Sequence, residues 1–311
     1  MLEILNLRSR ILKNVREIFN RWNYTEVETP IMVPYRNPDS NVENVKTLFH
    51  DFQGREKRWF LHTSPEFFMK RLIWYGAERI FQITKVFRDG EITELHNVEF
   101  TMLEWYRTGE NYRKGMEETI SLITKCGEAL GVKEVEVKGR RIDLSTPVFL
   151  SVEEAFLEFS GVSPFEKDEL KKLAKEEEYE TAFFKVLVEK VEPGIGELPG
   201  PVVLYDYPKE FGAFSKRRGE VAERFEVYVG GVEIANGYTE MTEYEEYIQE
   251  MDKKEGGLDR GFLELLKEKP LPPCEGVALG VDRLIMVLSG KEKISDVIPF
   301  SIETLLKESN P

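Results

Sequence analysis

The chain has 311 residues, 41% hydrophobic and 32% charged, with a formal net charge of −14 at pH 7, enough apolar material for one large domain or two small ones. No run approaches the ~18 apolar residues of a membrane span, and the amphipathic start MLEILNLRSRILKNV lacks a signal-peptide cleavage pattern, so a soluble cytoplasmic protein is expected. The acidic balance argues against broad contact with a nucleic-acid backbone, and Cys126 and Cys274, far apart and outside any CxxC, suggest buried thiols rather than a disulfide framework or a zinc site.

In chain order, Leu5, Ile11, Leu12, Val15, Ile18 and Phe19 recur at helical spacing, and YTEVETP reads as an extended segment ending at Pro30. The polar stretch 36–44, RNPDSNVEN, is a loop that either covers a site or is simply solvated. In TSPEFFMKRLIWYG, Ser64 suits an N-cap, Pro65 the first helical position and Gly76 a stop. Glu66 either complements the helix dipole or faces a bound ammonium group.

The stretch 78–107, ERIFQITKVFRDGEITELHNVEFTMLEWYR, predicts a long antiparallel hairpin, with runs at 79–88 and 98–106 around a polar loop. Alternation puts Phe100, Met102, Glu104 and Tyr106 on one face of the second strand. At ~3.3 Å per residue, Phe100 and Glu104 stand roughly 13 Å apart, about the distance from a stacked adenine to the far end of an amino acid joined to its phosphate.

Beyond the hairpin, 112–130 reads as a helix, 135–144 as short strands around a Lys138-Gly139 turn, and SVEE from Ser151 as a capping box opening another helix. Residues 165–192 are helical with a charged, solvated face; EPGIGELPG, interrupted by prolines and followed by the strand PVVLYDYP, reads as a loop rather than a phosphate cradle. In VAERFEVYVGGVEIANGYTEM, Gly230-Gly231 predicts a two-residue turn that pairs Tyr228 with Glu233 and Glu226 with Ala235. Glu226 and Glu233 then lie diagonally on one face, suited to Mg2+ with a triphosphate or exposed to solvent. The same alternation puts Asn236, Tyr238 and Glu240 on the opposite face unless the strand breaks, for which Gly237 is the expected place. Helices at 243–255 and 260–267 precede GVALGVDRLIMVLSG, a short strand entering an apolar helix with Arg283 near its start, placed for an anion or a surface ion pair.

Together, the helix and strand ending at Pro30, FRDGEITELHNVEF and GVALGVDRL resemble the three ordered signatures of class II aminoacyl-tRNA synthetase catalytic domains of the lysine type. TSPEFFMKRL, HNVEFTMLEWYR, ERFEVYVGGVEIANGY and CEGVALGVDRLIM are most similar to the elongation factor P (R)-β-lysine ligases, stand-alone paralogs of lysyl-tRNA synthetase. The resemblance implies an α+β fold, an antiparallel sheet flanked by helices, as one catalytic domain over 1–311 with a mainly helical insertion around 110–200. It also implies a homodimer whose interface includes the first helix. No room is expected ahead of that helix for an anticodon-binding domain, so tRNA is an unlikely partner.

By the same resemblance, Arg88 contacts the α-phosphate of ATP, His96 and Arg283 hold the outer phosphates, and Phe100 stacks on adenine. Glu226 and Glu233 bind Mg2+. Glu66, Glu104, Tyr106, Asn236, Tyr238 and Glu240 line the pocket for (R)-β-lysine or lysine, and alanine at Ala278, where lysyl-tRNA synthetases usually have glycine, is typical of the ligases. One departure stands out: the family's Arg-x-Glu is here Arg88-Asp89-Gly90, with Glu91 one place later, so either the loop shifts until Glu91 serves or a nucleotide contact is missing. The implied activity is ATP-dependent adenylation of (R)-β-lysine or lysine and its transfer to a lysine side chain of elongation factor P. A truncated synthetase paralog serving another acceptor and a non-catalytic amino-acid sensor are the alternatives.

Overall fold

The computed structural model describes residues 2–36, 42–251 and 259–309; part of the polar loop expected at 36–44 and the end of the helix expected at 243–255 lie outside the described residues. Six strands carry the middle of the principal sheet: Arg79–Phe87 (β1), Glu99–Thr108 (β2), Val202–Pro208 (β3), Val221–Val229 (β4), Val232–Thr239 (β5) and Cys274–Gly280 (β6). Their spatial order is β1-β2-β6-β5-β4-β3, antiparallel throughout. Thr25–Glu26 joins in parallel beyond β1, and Val148–Ser151 in parallel beyond β3. The expected α+β class is the one observed.

Helices cover one face of this sheet. Leu2–Arg21 (α1) contributes Ile11, Val15 and Phe19; Tyr112–Leu130 (α3, following Glu66–Trp74, α2) contributes Leu122, Ile123 and Cys126; and Val281–Leu288 (α4) contributes Leu284, Ile285 and Leu288. They meet Leu103 and Trp105, the inward-alternating residues of β2. Phe19 stacks on Phe81 at 4.6 Å and meets Trp105 edge-on at 5.3 Å, an arrangement that adds to area burial. A second cluster, with Phe156 stacked on Phe183 at 4.9 Å, packs the helices after residue 151 against β3, and a third gathers around α2 with Phe67, Tyr247 and Phe262. Among the described residues no helix is long and apolar enough to cross a membrane.

Several local expectations need correction. Strand pairing in YTEVETP is confined to Thr25–Glu26, although Val27 N still donates to Phe81 O; Pro30 has no N–H with which to extend the ladder. EPGIGELPG is not all loop: Glu192–Ile195 forms a helical turn with proline in its first positions, where a missing donor is harmless. At the tight turn, Gly230 (φ +58°) and Gly231 (φ +75°) take the left-handed conformations a two-residue hairpin demands.

Tyr228 faces Glu233 as expected, but Val227 faces Ala235, and Glu226 faces Asn236 rather than Ala235. The extra residue is Ile234, so the bulge lies there and not at Gly237. Both Ile234 and Ala235 enter the core, and two consecutive apolar side chains reach one face only if the strand slips by a residue. The slip brings Glu233 onto the same face as Asn236 and Tyr238.

Candidate active site

The open face of the sheet holds two adjoining cavities, of about 250 Å³ and 140 Å³. Val42, Arg88, Met102, Asn236 and Ala278 line both. Phe100, His96, Glu233 and Arg283 belong to the larger lobe; Glu66, Glu104, Tyr106, Tyr238 and Glu240 belong to the smaller. Phe100 and Glu104 therefore share a strand face but open into different lobes that meet around Arg88 and Asn236. Every candidate site residue lines one lobe or both except Glu226.

In the larger lobe, Arg88 lies over the Phe100 ring, its guanidinium carbon 5.2 Å from the centroid. Arg283 is held by four acceptors: its Nη1 donates to Glu233 O (3.0 Å) and Oε2 (3.2 Å), Nε to Leu95 O (3.3 Å), and Nη2 meets His96 Nε2 at 2.6 Å. Burial and the charges of Arg283 and Arg88 push His96 down to about 4, so its ring is neutral. Nε2 then accepts from Arg283, and Nδ1–H donates to Thr93 Oγ1 at 2.8 Å. His96 thus orients Arg283 rather than adding a positive charge of its own.

The Gly90 departure has a structural answer. Gly90 takes φ +77°, Glu91 lines the larger lobe 3.9 Å from Arg88 Nη1, and Glu91 Oε2 is buried without a hydrogen-bond partner among the described residues. The loop carries the carboxylate into the site one position late.

Glu226 is tied down beside the lobe. Arg224 donates to its Oε1 at 2.5 Å, and the hydroxyls of Tyr207 and Tyr228 donate to Oε2 at 2.6 and 2.5 Å. Glu233 is the member of the pair that reaches the cavity; withdrawal from solvent and the Glu226 charge raise its pKa, against Arg283, Arg224 and Arg88. Among the described residues no group of three His, Cys, Asp or Glu is arranged to hold a metal. Glu233, whose proton affinity the Glu226 charge raises, nevertheless suits Mg2+, which takes one or two protein carboxylates and completes its shell with phosphate and water.

The smaller lobe is built by α2, β2 and the end of β5. Ser64 Oγ accepts from Glu66 N at 3.0 Å and donates to Glu104 Oε2 at 2.7 Å, but the N-cap position falls on Pro65 rather than Ser64, one residue later than expected, because Pro65 O accepts the first helical bond, from Met69 N. Tyr106 OH donates to Glu104 Oε1 at 2.8 Å, and Tyr238 OH to Glu66 Oε1 at 2.7 Å. Burial and the Glu66 charge push Glu104 up to about 7, against the Ser64 and Tyr106 hydroxyls and Lys70. Burial pushes Glu240 up to about 8 despite Lys70. Lys70 was missed by sequence reasoning: a lysine followed by arginine on a helix reads as a surface pair. The available signal was its place four residues after Glu66, on the stripe that buries Phe67, Met69, Ile73 and Trp74.

Comparison with known proteins bears on this geometry. Residues 1–304 match the family model for tRNA synthetases class II (D, K and N). A protein of Aquifex aeolicus called elongation factor P (R)-β-lysine ligase homolog is 37% identical over 94% of this chain and 98% of its own. The elongation factor P (R)-β-lysine ligase of Avibacterium paragallinarum is 35% identical over 97% and 96%. Lysine–tRNA ligase 2 of Methanosarcina mazei is 37% identical over 96% of this chain but 62% of its own length. With a model matched from residue 1 to residue 304 and relatives covered almost end to end, the chain belongs to the class II tRNA synthetase family of the D, K and N type.

Proposed function

We propose that the protein is an ATP-dependent ligase that activates (R)-β-lysine or lysine as an aminoacyl-adenylate and transfers it to a lysine side chain of elongation factor P. The carrying observation is the pair of joined lobes, one with an aromatic ring and guanidinium groups, the other with carboxylates, meeting at Arg88, Asn236 and Ala278. The names of the Aquifex and Avibacterium relatives supply the acceptor.

In this reading adenine stacks on Phe100, Glu91 meets the nucleotide, and Arg283, oriented by His96, holds the outer phosphates. Glu233, supported by Glu226, holds Mg2+, which supplies charge neutralisation for the triphosphate. A substrate carboxylate oxygen attacks the α-phosphorus while the bond to pyrophosphate breaks, and Arg88 at the junction stabilises the developing charge. The acceptor amine then attacks the adenylate carbonyl, loses a proton and expels AMP. Glu66, Glu104 and Glu240, oriented by Tyr106 and Tyr238, bind the two ammonium groups. The chain works in the cytoplasm as a homodimer through α1, where Leu2 and Leu5 stand exposed. A net charge of −14 disfavours tRNA as the acceptor.

Incubation with ATP, each amino acid and elongation factor P, followed by intact-mass spectrometry of the factor, tests the reading. Gain of one lysyl or β-lysyl group, requiring both ATP and the amino acid, is expected. An unchanged mass with a folded factor and an enzyme that exchanges pyrophosphate removes the proposed acceptor.

A further inference from the structure

A buried cation lies behind the wall of the lobe proposed for the amino acid. The Lys70 side chain is 0% exposed, and Nζ lies 2.5 Å from Glu66 Oε1 and 2.6 Å from Glu240 Oε2. Rings of Phe67, Phe214, Tyr238 and Tyr247 surround it, with centroids 5.3–5.8 Å away. Burial alone drives a lysine toward the neutral form; here two carboxylates and four aromatic faces favour the ammonium.

This arrangement changes the charge the lobe offers. Ionised Glu66, Glu104 and Glu240 would present three negative charges to a substrate bringing two ammonium groups. The resident ammonium cancels one. It forms an ion pair with Glu240 Oε2; both oxygens of Glu240 are buried without a hydrogen-bond partner among the described residues, and Oε1 lies 2.5 Å from where a Cβ on Gly276 would stand, against the wall of the cavity. We infer that Lys70 is a positioning residue: its ammonium fixes Glu66 and Glu240 and trims the carboxylate cluster of Glu66, Glu104 and Glu240, apart from Arg88 at the junction with the other lobe, to a net charge of −2, the complement of a diamino acid's two ammonium groups. The inference rests on the ligase reading and adds a specificity determinant that does not itself touch the substrate.

The test is ATP–pyrophosphate exchange by the full-length protein, with lysine and with (R)-β-lysine between pH 6 and 9, for wild type, Lys70→Met and Lys70→Met/Glu240→Gln, with thermal melts to report folding. Removing one partner of a buried ion pair is costly, so Lys70→Met should raise the amino-acid KM roughly a hundredfold. The ATP KM should stay within about twofold, because the larger lobe is untouched. The acid limb of kcat/KM should move to higher pH, since Glu240 ionises less readily without the ammonium beside it. The double variant restores the net charge of −2 and should recover about tenfold or more of the lost affinity. If Lys70→Met does not fold, a folded double variant that binds amino acid still supports the inference, and one that does not bind overturns it. It is also overturned by an unchanged amino-acid KM, an equal rise in both KM values, an unshifted acid limb, or a double variant no better than the single. Absence of exchange in wild type overturns the ligase reading as well, which separates the two failures.

Discussion

At Gly276 the smaller lobe has room for a hydrogen and nothing more. A Cβ there would stand 2.5 Å from Glu240 Oε1 and 2.5 Å from the Tyr106 ring. Neither neighbour is free to retreat, since Lys70 pins Glu240 and Tyr106 is bonded to Glu104. Gly276, Ala278 and Gly280 share one face of β6, and Ala278, which sits between Glu104 and Asn236, is the one that carries a methyl group. Gly276→Ala should raise the amino-acid KM by roughly ten- to a hundredfold through loss of fit while leaving the ATP KM unchanged, as read from separate substrate titrations in pyrophosphate exchange. Equal losses for both substrates would show that the two lobes do not divide the substrates. From the sequence GVALGVDRL the glycine-bearing strand was legible. Which glycine touches which side chain was not, because that depends on β5 and β2 lying on either side of β6.

Among the elements, the β4–β5 hairpin decides which carboxylates can act together. Its turn was legible from Gly230-Gly231, and so was the pairing of Tyr228 with Glu233. The bulge at Ile234 was not, since strict alternation says nothing of two neighbouring apolar side chains entering one core. The turn is also packed: a Cβ on Gly230 would stand 2.6 Å from Val137 Cβ, whereas Gly139, in the nearby hairpin Glu134–Val137/Arg140–Asp143, has nothing within 4 Å. Both take positive φ, +58° and +77°. Gly139→Ala should therefore cost only the conformational penalty, about 1–2 kcal/mol. Gly230→Ala adds overpacking and should cost about 2–5 kcal/mol. Urea unfolding of the two variants measures the difference, and equal midpoints would mean that the turn is not braced by Val137. Gly230→Ala should also disturb Glu233, three residues away, and hence Arg283, which donates to its carboxylate.

Over the whole molecule, acidic groups in the smaller lobe and beside the Glu226–Glu233 pair stand where water poorly solvates their charge, and this gives stability an uncommon dependence on pH. Glu104 and Glu192 are pushed up to about 7 and Glu240 to about 8, burial being the first cause in each case. Between the ordinary carboxylate value and these values the folded chain holds protons that the unfolded chain has released, so stability falls as pH rises. The neutral histidines act oppositely: His96 is pushed down to about 4 and burial lowers His62, so their contribution grows with pH but is complete by about pH 7, above the ordinary histidine value. From about pH 6.5 to 8.5 the carboxyls dominate, and the melting temperature should drop by several degrees, since each shifted pKa unit is worth about 1.4 kcal/mol at most. A bound diamino acid favours the ionised carboxylates, so saturating lysine should stabilise the protein more at pH 8.5 than at 6.5, and binding should release protons, seen in calorimetry as a heat that varies with the buffer. A melting temperature that rises through this range, with a lysine effect independent of pH, would place the carboxyls in contact with water and remove the physical basis for a site that selects two ammonium groups.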